Sequence, residues 1–230
     1  MNAGQPQMPE VWMKAQGLSK SYGPKPVFKD VDFQVSSGQV VVVAGANGSG
    51  KSTLLKILAG VLPPTSGRVD AAVTREEIGY LGHETFLYPH LTVLENLSFW
   101  MRLYTVPMTS GEPEALLKRF GLSAVLYEPA STLSRGMAQK LSLARMLAIH
   151  PKVLLMDEPS TGLDSEAQAL LHREILQARE TGRIVFWVSH SPEADARMAD
   201  GVLVLKGGRA ELRMQCEGRR GSDTAVRLQY

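Results

Sequence analysis

The sequence predicts an α/β fold: a mainly parallel sheet with an antiparallel β segment and an inserted helical segment. Three observations lead there. Val40–Ala44 and Val153–Met156 are apolar without alternation, as strands buried on both faces are, and each is followed by a helix-forming stretch. Val31, Phe33 and Val35 alternate with polar residues, the period-2 pattern of a half-buried antiparallel strand. Between about Glu84 and Ala148 the text is helical.

Taken in order, residues 1–10 read as a loose leader rich in polar residues, Gly and Pro. Strands are expected over Val11–Gln16 and Val27–Val35, separated by a turn at Tyr22-Gly23-Pro24. The strand Val40–Ala44 opens into a helix over Lys51–Gly60, closed by Gly60 and Pro63-Pro64. Thr92 and Glu95 form a capping box ahead of a helix to about Tyr104. Helices over Pro113–Phe120 and Met137–Ile149 follow, stopped by Gly121 and Pro151. Next come a strand Val153–Met156, a helix Ser165–Glu180, a strand Ile184–Val188 and a short helix near Pro192–Met198. A hairpin, Val202–Leu205 with Ala210–Leu212, turns at Gly207-Gly208. One domain is expected over residues 11–215, with its helical part over 84–150 and an exposed, mobile tail over 216–230.

The composition narrows the function classes. The 230 residues are 44% hydrophobic and 21% charged, with a formal charge of +2, so the balance demands neither nucleic acid nor an anionic membrane as partner. The single cysteine, Cys216, cannot form an internal disulfide. No apolar run approaches the ~20 residues of a membrane span, so the expectation is a chain soluble by itself.

Gly45-Ala46-Asn47-Gly48-Ser49-Gly50-Lys51-Ser52-Thr53 fits the G-x-x-x-x-G-K-[ST] pattern of a P-loop, between a buried strand and a helix. The glycines let successive N–H groups face one phosphate, and the helix N-terminus adds partial positive charge. Lys51 is expected to reach the β- and γ-phosphates of a nucleotide, and the Ser52 hydroxyl to ligate Mg²⁺. Asp157 and Glu158 end the strand Val153–Met156, where open α/β sheets place ligands. Asp157 suits an outer or water-mediated hold on Mg²⁺, and Glu158, one residue further, is placed to polarise a water attacking the γ-phosphate.

Other segments resemble the ATP-binding cassette (ABC) family in the right order along nearly the whole chain. Leu133-Ser134-Arg135-Gly136-Met137 is similar to the family signature L-S-G-G-Q. Ser160-Thr161-Gly162-Leu163-Asp164 resembles the D-loop, His190 the switch histidine at the γ-phosphate, and Tyr22 the aromatic residue that stacks on adenine. The resemblance implies an ATPase of the P-loop NTPase fold, ABC type, acting as the ATP-hydrolysing subunit of a transporter. It also implies a head-to-tail dimer of two copies in which the signature of one faces the ATP of the other. Integral membrane subunits are implied as partners, and the cytoplasmic face of the cell membrane as location.

Three positions depart from the family pattern. Arg135 and Met137 replace a glycine and the glutamine of the signature, while Ser134 and Gly136, the phosphate-facing positions, are kept. His83 stands where the family usually has its Q-loop glutamine. It is carried over as a site residue, with a purely structural histidine as the other reading.

Leu81-Gly82-His83-Glu84, with Leu91-Thr92-Val93-Leu94-Glu95-Asn96-Leu97, resembles the haem-exporter ATPases of cytochrome c biogenesis. Drug or lipid exporters are the alternative, and a soluble non-transport ABC-type ATPase is the rival from another class. On the helix after Thr92, Leu94, Leu97, Met101 and Tyr104 share one face, and Phe99, Trp100 and Leu103 extend the apolar surface. Two readings stand for these aromatics: a dock for the membrane subunit, or completion of the segment's own core.

Overall fold

The computed structural model describes residues 11–107, 109, 111–189 and 195–214. Strands β1 (Trp12–Tyr22), β2 (Lys25–Ser36) and β4 (Ser66–Ala71) form an antiparallel sheet in the order β2-β1-β4. The second sheet contains β3 (Val40–Gly45), β5 (Ile78–Leu81), β6 (Val153–Asp157), β7 (Ile184–Val188), β8 (Gly201–Lys206) and β9 (Arg209–Met214). Its order is β5-β6-β7-β3-β8-β9, parallel throughout except for the β8–β9 hairpin.

Alternate residues of the larger sheet feed two different cores, which is why its strands read as unbroken apolar runs. Val40, Val42, Leu154, Met156, Val185 and Trp187 pack against α2 (Val93–Leu103), α3 (Glu112–Arg119), α4 (Arg135–Ala148) and α5 (Ser165–Glu180). Val41, Val43, Val153, Leu155, Phe186 and Val188 face α1 (Lys51–Leu58) and the antiparallel sheet. Each of these side chains is almost fully enclosed, worth roughly 1.5–3 kcal/mol apiece relative to exposure.

The helices start where their caps dictate. Thr92 accepts from the Glu95 N–H while the Glu95 carboxylate accepts from the Thr92 N–H, the reciprocal box that fixes the start of α2. Ser134 and Asp164 cap α4 and α5 by accepting from the N–H groups of Met137 and Ala167.

Several boundaries differ from the sequence reading. β1 runs to Tyr22 rather than Gln16, with register shifts around Gly17 and Lys20 that break its alternation. β4 and β5 were not anticipated: β4 is largely exposed and carries Ser66, Gly67, Arg68 and Asp70, and β5 is only four residues long. Of the short helix near Pro192–Met198, the described part is helical at Asp195 and continues as a 3₁₀ turn at Ala196–Met198; residues 190–194 lie outside the described residues. So do the predicted leader over 1–10 and the tail over 216–230. No helix among the described residues is long and apolar enough to cross a membrane.

Candidate active site

Because β6, β7 and β3 are neighbours, the loop after β3 and the acidic end of β6 meet at the same edge of the sheet. The loop carries Gly45, Ala46, Asn47, Gly48, Ser49 and Gly50 into α1, where Lys51, Ser52 and Thr53 form the first turn. Gly50 adopts φ 101, and a Cβ there would lie 2.6 Å from Val27 Cγ1 of β2, so the loop can hug the antiparallel sheet only with glycine. α1 has neither a side-chain cap nor an acidic residue in its first turn. Its positive end is therefore left to face an anion. The Lys51 ammonium donates to the carbonyls of Gly45 (2.8 Å) and Ala46 (3.1 Å), which holds its charge over the loop. Ser49 Oγ is buried without a hydrogen-bond partner in the same loop.

Asp157, the last residue of β6, is 3% exposed and hydrogen-bonded to the side chain of Ser52. Burial pushes its carboxyl above the ordinary aspartate range; the Ser52 bond opposes that shift, Glu158 adds to it, and His83 and Lys51 oppose it. A hydroxyl beside a buried carboxylate is a hard-oxygen donor pair, and a cation there would relieve the desolvation. This fits Mg²⁺, which takes few protein ligands and completes its shell with water and phosphate. Among the described residues no three His, Cys, Asp or Glu side chains cluster in a way that could hold a metal ion.

Glu158 follows at φ 55, left-handed for a residue with a side chain. Its N–H donates to the Val188 carbonyl (3.1 Å) and its own carbonyl accepts from Thr161 N–H (3.1 Å), so neighbouring strand and loop hold the bend. The bend brings Glu158 Oε2 to 3.8 Å from Nδ1 of His83, the second residue after β5. His83 is largely exposed, and with Glu158 it lines a cleft of about 800 Å³ that also takes in Arg135, Gln139 and Thr161. Tyr22 ends β1 at the hairpin turn, 55% exposed, with Lys20 Nζ 5.1 Å from the ring centroid. His190 lies outside the described residues.

The signature segment stands apart from the phosphate loop: among the described residues no hydrogen bond joins 134–137 to 45–53. It packs instead on the segment 159–164 of its own chain. A Cβ on Gly136 would lie 2.7 Å from the Gly162 carbonyl, a contact that only glycine permits. Arg135 is exposed and its aliphatic stem runs past Gly162. Gln139 Nε2 donates to the Pro159 carbonyl (3.3 Å), and Lys140 pairs with Asp164 (2.6 Å). Met137 is half-buried against the helical core. Sequence reasoning passed over Gln139 and Lys140; their polarity on an otherwise apolar helix face was the available signal.

Residues 28–161 match the ABC transporter family. The chain belongs to that family. It is an ABC transporter ATP-binding subunit, and its reaction is ATP hydrolysis. It is 34% identical to the cytochrome c biogenesis ATP-binding export protein CcmA of Rhodopseudomonas palustris (strain HaA2), over 78% of this chain and 92% of that protein. The linearmycin resistance ATP-binding protein LnrL of Bacillus subtilis (strain 168) is 30% identical over 94% of this chain and 74% of its own length. The sulfate/thiosulfate import ATP-binding protein CysA 1 of Agrobacterium fabrum (strain C58 / ATCC 33970) is 32% identical over 86% and 62%. Among solved structures, the ABC subunit resembles the dimeric, post-hydrolysis ATP-binding cassette MJ0796 bound to ADP and Pi. That match has a TM-score of 0.76 and 28% identity over 88% of this chain and 98% of the other.

Proposed function

We propose that this ABC subunit drives a separate set of membrane-spanning subunits of the haem-exporter type. In this reading it works as a head-to-tail dimer on the cytoplasmic face of the cell membrane. The observation that carries the mechanism is the meeting of Ser52, Asp157, Glu158 and His83 at one sheet edge beside an uncapped helix start. ATP lies with its phosphates on the backbone N–H groups of residues 45–53 and its adenine on Tyr22. Lys51 exchanges the Gly45 and Ala46 carbonyls for β- and γ-phosphate oxygens. Ser52 and Asp157 hold Mg²⁺, which when bound neutralises charge on those oxygens. Glu158 orients and polarises the attacking water, and the His83 ring, facing that carboxylate, contributes a second hydrogen bond to it. His190 fills the γ-phosphate contact that the family resemblance assigns to it.

The other half of each site comes from the second copy. The Ser134 hydroxyl accepts from Met137 N–H and still has a proton to donate, so it can cap α4 and bind the partner's γ-phosphate together. The Gly136 N–H and the α4 N-terminus add to that contact. Asp164 and its neighbours brace the signature from behind.

The haem-exporter assignment rests on Leu81-Gly82-His83-Glu84 and on a likeness that runs over 92% of the CcmA relative. The likeness to the linearmycin resistance protein over 94% of this chain favours drug export as the second reading. A host strain whose only copy carries Lys51→Ala separates them. Loss of haem-stained c-type cytochromes supports the first; normal cytochromes with heightened drug sensitivity support the second.

For the membrane partner, the apolar residues of α2 and of the loop before it fall into two groups. Trp100 lies beneath the buried guanidinium of Arg145, at 4.2 Å, as part of the segment's own packing. Phe86, Phe99 and Leu103 are exposed at 70%, 43% and 58%. These three are the better candidates for the dock. Phe99→Ala with Leu103→Ser should reduce co-purification of the membrane subunits while leaving ATP affinity unchanged; retained co-purification would discard this surface.

A further inference from the structure

We propose that Arg145 is a positioning residue for hydrolysis: it fastens the loop that begins at His83 to the signature helix α4. This rests on the reading of His83 as part of the reacting site.

Arg145 is a cation at 5% exposure with no ion pair among the described residues, an arrangement that burial alone disfavours. What holds it is the loop. Its Nη1 donates to the Phe86 carbonyl at 3.0 Å, and the guanidinium carbon lies 4.2 Å from the Trp100 ring centroid and 5.7 Å from that of Tyr88. One turn earlier on α4, Ser142 Oγ donates to the Thr85 carbonyl at 3.2 Å. Asn96 of α2 closes the other end, accepting from Tyr88 N–H and donating to the Tyr88 carbonyl. Residues 85–88 are thus bonded to the helical segment. Three residues before Phe86, His83 faces Glu158 at the end of the sheet. Tyr88 and Trp100 give the clamp planar faces that a flexible ammonium would not use equally. Since α4 begins at Ser134 and Gly136, a shift of the signature on meeting the partner's ATP would be carried by Arg145 to His83.

The test uses the full chain as an ATP-hydrolysing dimer, with Arg145→Lys as the main variant and Ser142→Ala as a milder one on the same loop. His83→Ala runs in parallel. The expected result is faster amide hydrogen exchange over 84–88 in both loop variants, with kcat lowered by about tenfold or more in Arg145→Lys. KM for MgATP should stay within about twofold, because the phosphate loop is not touched. Parental exchange over 84–88 and parental kcat in both loop variants, while His83→Ala is impaired, would overturn the role of Arg145 alone. A silent His83→Ala would instead remove the reading beneath it. A rise in KM with a lowered Tm and unchanged exchange over 84–88 would mark Arg145 as ordinary packing and also contradict the proposal.

Discussion

Asp157 and Glu158 are adjacent in sequence and opposite in circumstance. Asp157 is enclosed, so its negative charge is costly in the folded chain, whereas Glu158 bends outward through a left-handed backbone that costs on the order of 1–3 kcal/mol. Both are expenses a purely structural strand end would avoid, which suits a site that trades stability for chemistry. The trade has a sign that can be checked. A carboxyl whose folded pKa lies above its unfolded value destabilises the fold above the folded pKa and does so no longer below the unfolded value, 3.8. Asp157→Asn should therefore raise Tm near pH 7 by a few degrees, since about 1 kcal/mol shifts a chain of this size by ~2–4 °C. The gain should shrink as the pH falls toward 3.8, while Mg²⁺-dependent ATP turnover is lost at every pH. Thermal melts of both proteins across that range decide it. The acidic pair and the phosphate loop were legible because their chemistry resides in consecutive residues. Arg145 and Gln139 were not, because a lone polar residue on an apolar helix does not say what lies across from it until the fold brings Phe86 or Pro159 there.

Among the elements, α2 shows how local and distant information combine. Its start was legible at Thr92 and Glu95, since a capping box is a four-residue signal. The reason it matters is Asn96, fully buried, which donates to the carbonyls of Tyr88, Leu91 and Thr92 and accepts from Tyr88 N–H. Asn96→Ala would strand the Tyr88 N–H, while the three carbonyls keep bonds from the N–H groups of Leu91, Ala130 and residue 96; it should cost about 2–3 kcal/mol, against about 1 kcal/mol for Thr92→Ala at the cap. Urea unfolding of the two variants reads that ranking. β4 and β5 escaped the sequence for a physical reason: an edge strand with exposed charges shows no alternation, and a four-residue strand is too short to show a period. The first turn of α4 makes a sharper demand. Gly136→Ala would drive a Cβ into the Gly162 carbonyl, so the signature or the segment 159–164 must move. ATP affinity of the single chain should hold, and ATP-dependent pairing of two chains should weaken, as sedimentation with and without MgATP would reveal.

For the whole molecule, the sheet order puts the phosphate loop, Asp157, Glu158 and His83 on one edge and leaves the signature on a separate helical segment braced by its own residues 159–164. That separation suits the proposed dimer, in which one chain would hold the nucleotide and another would complete the site over it. The general frame was legible from the order of motifs, but the bracing of Gly136, Lys140 and Asp164 was not, because it depends on a loop and a helix meeting in space. The most direct measurement is the solution mass of the Glu158→Gln protein with MgATP. The expected result is a stable species of twice the 25.1 kDa chain, with two ATP retained and turnover lowered by about 10²-fold or more. A protein that binds ATP yet stays a single chain, or that hydrolyses it at the parental rate, would contradict it.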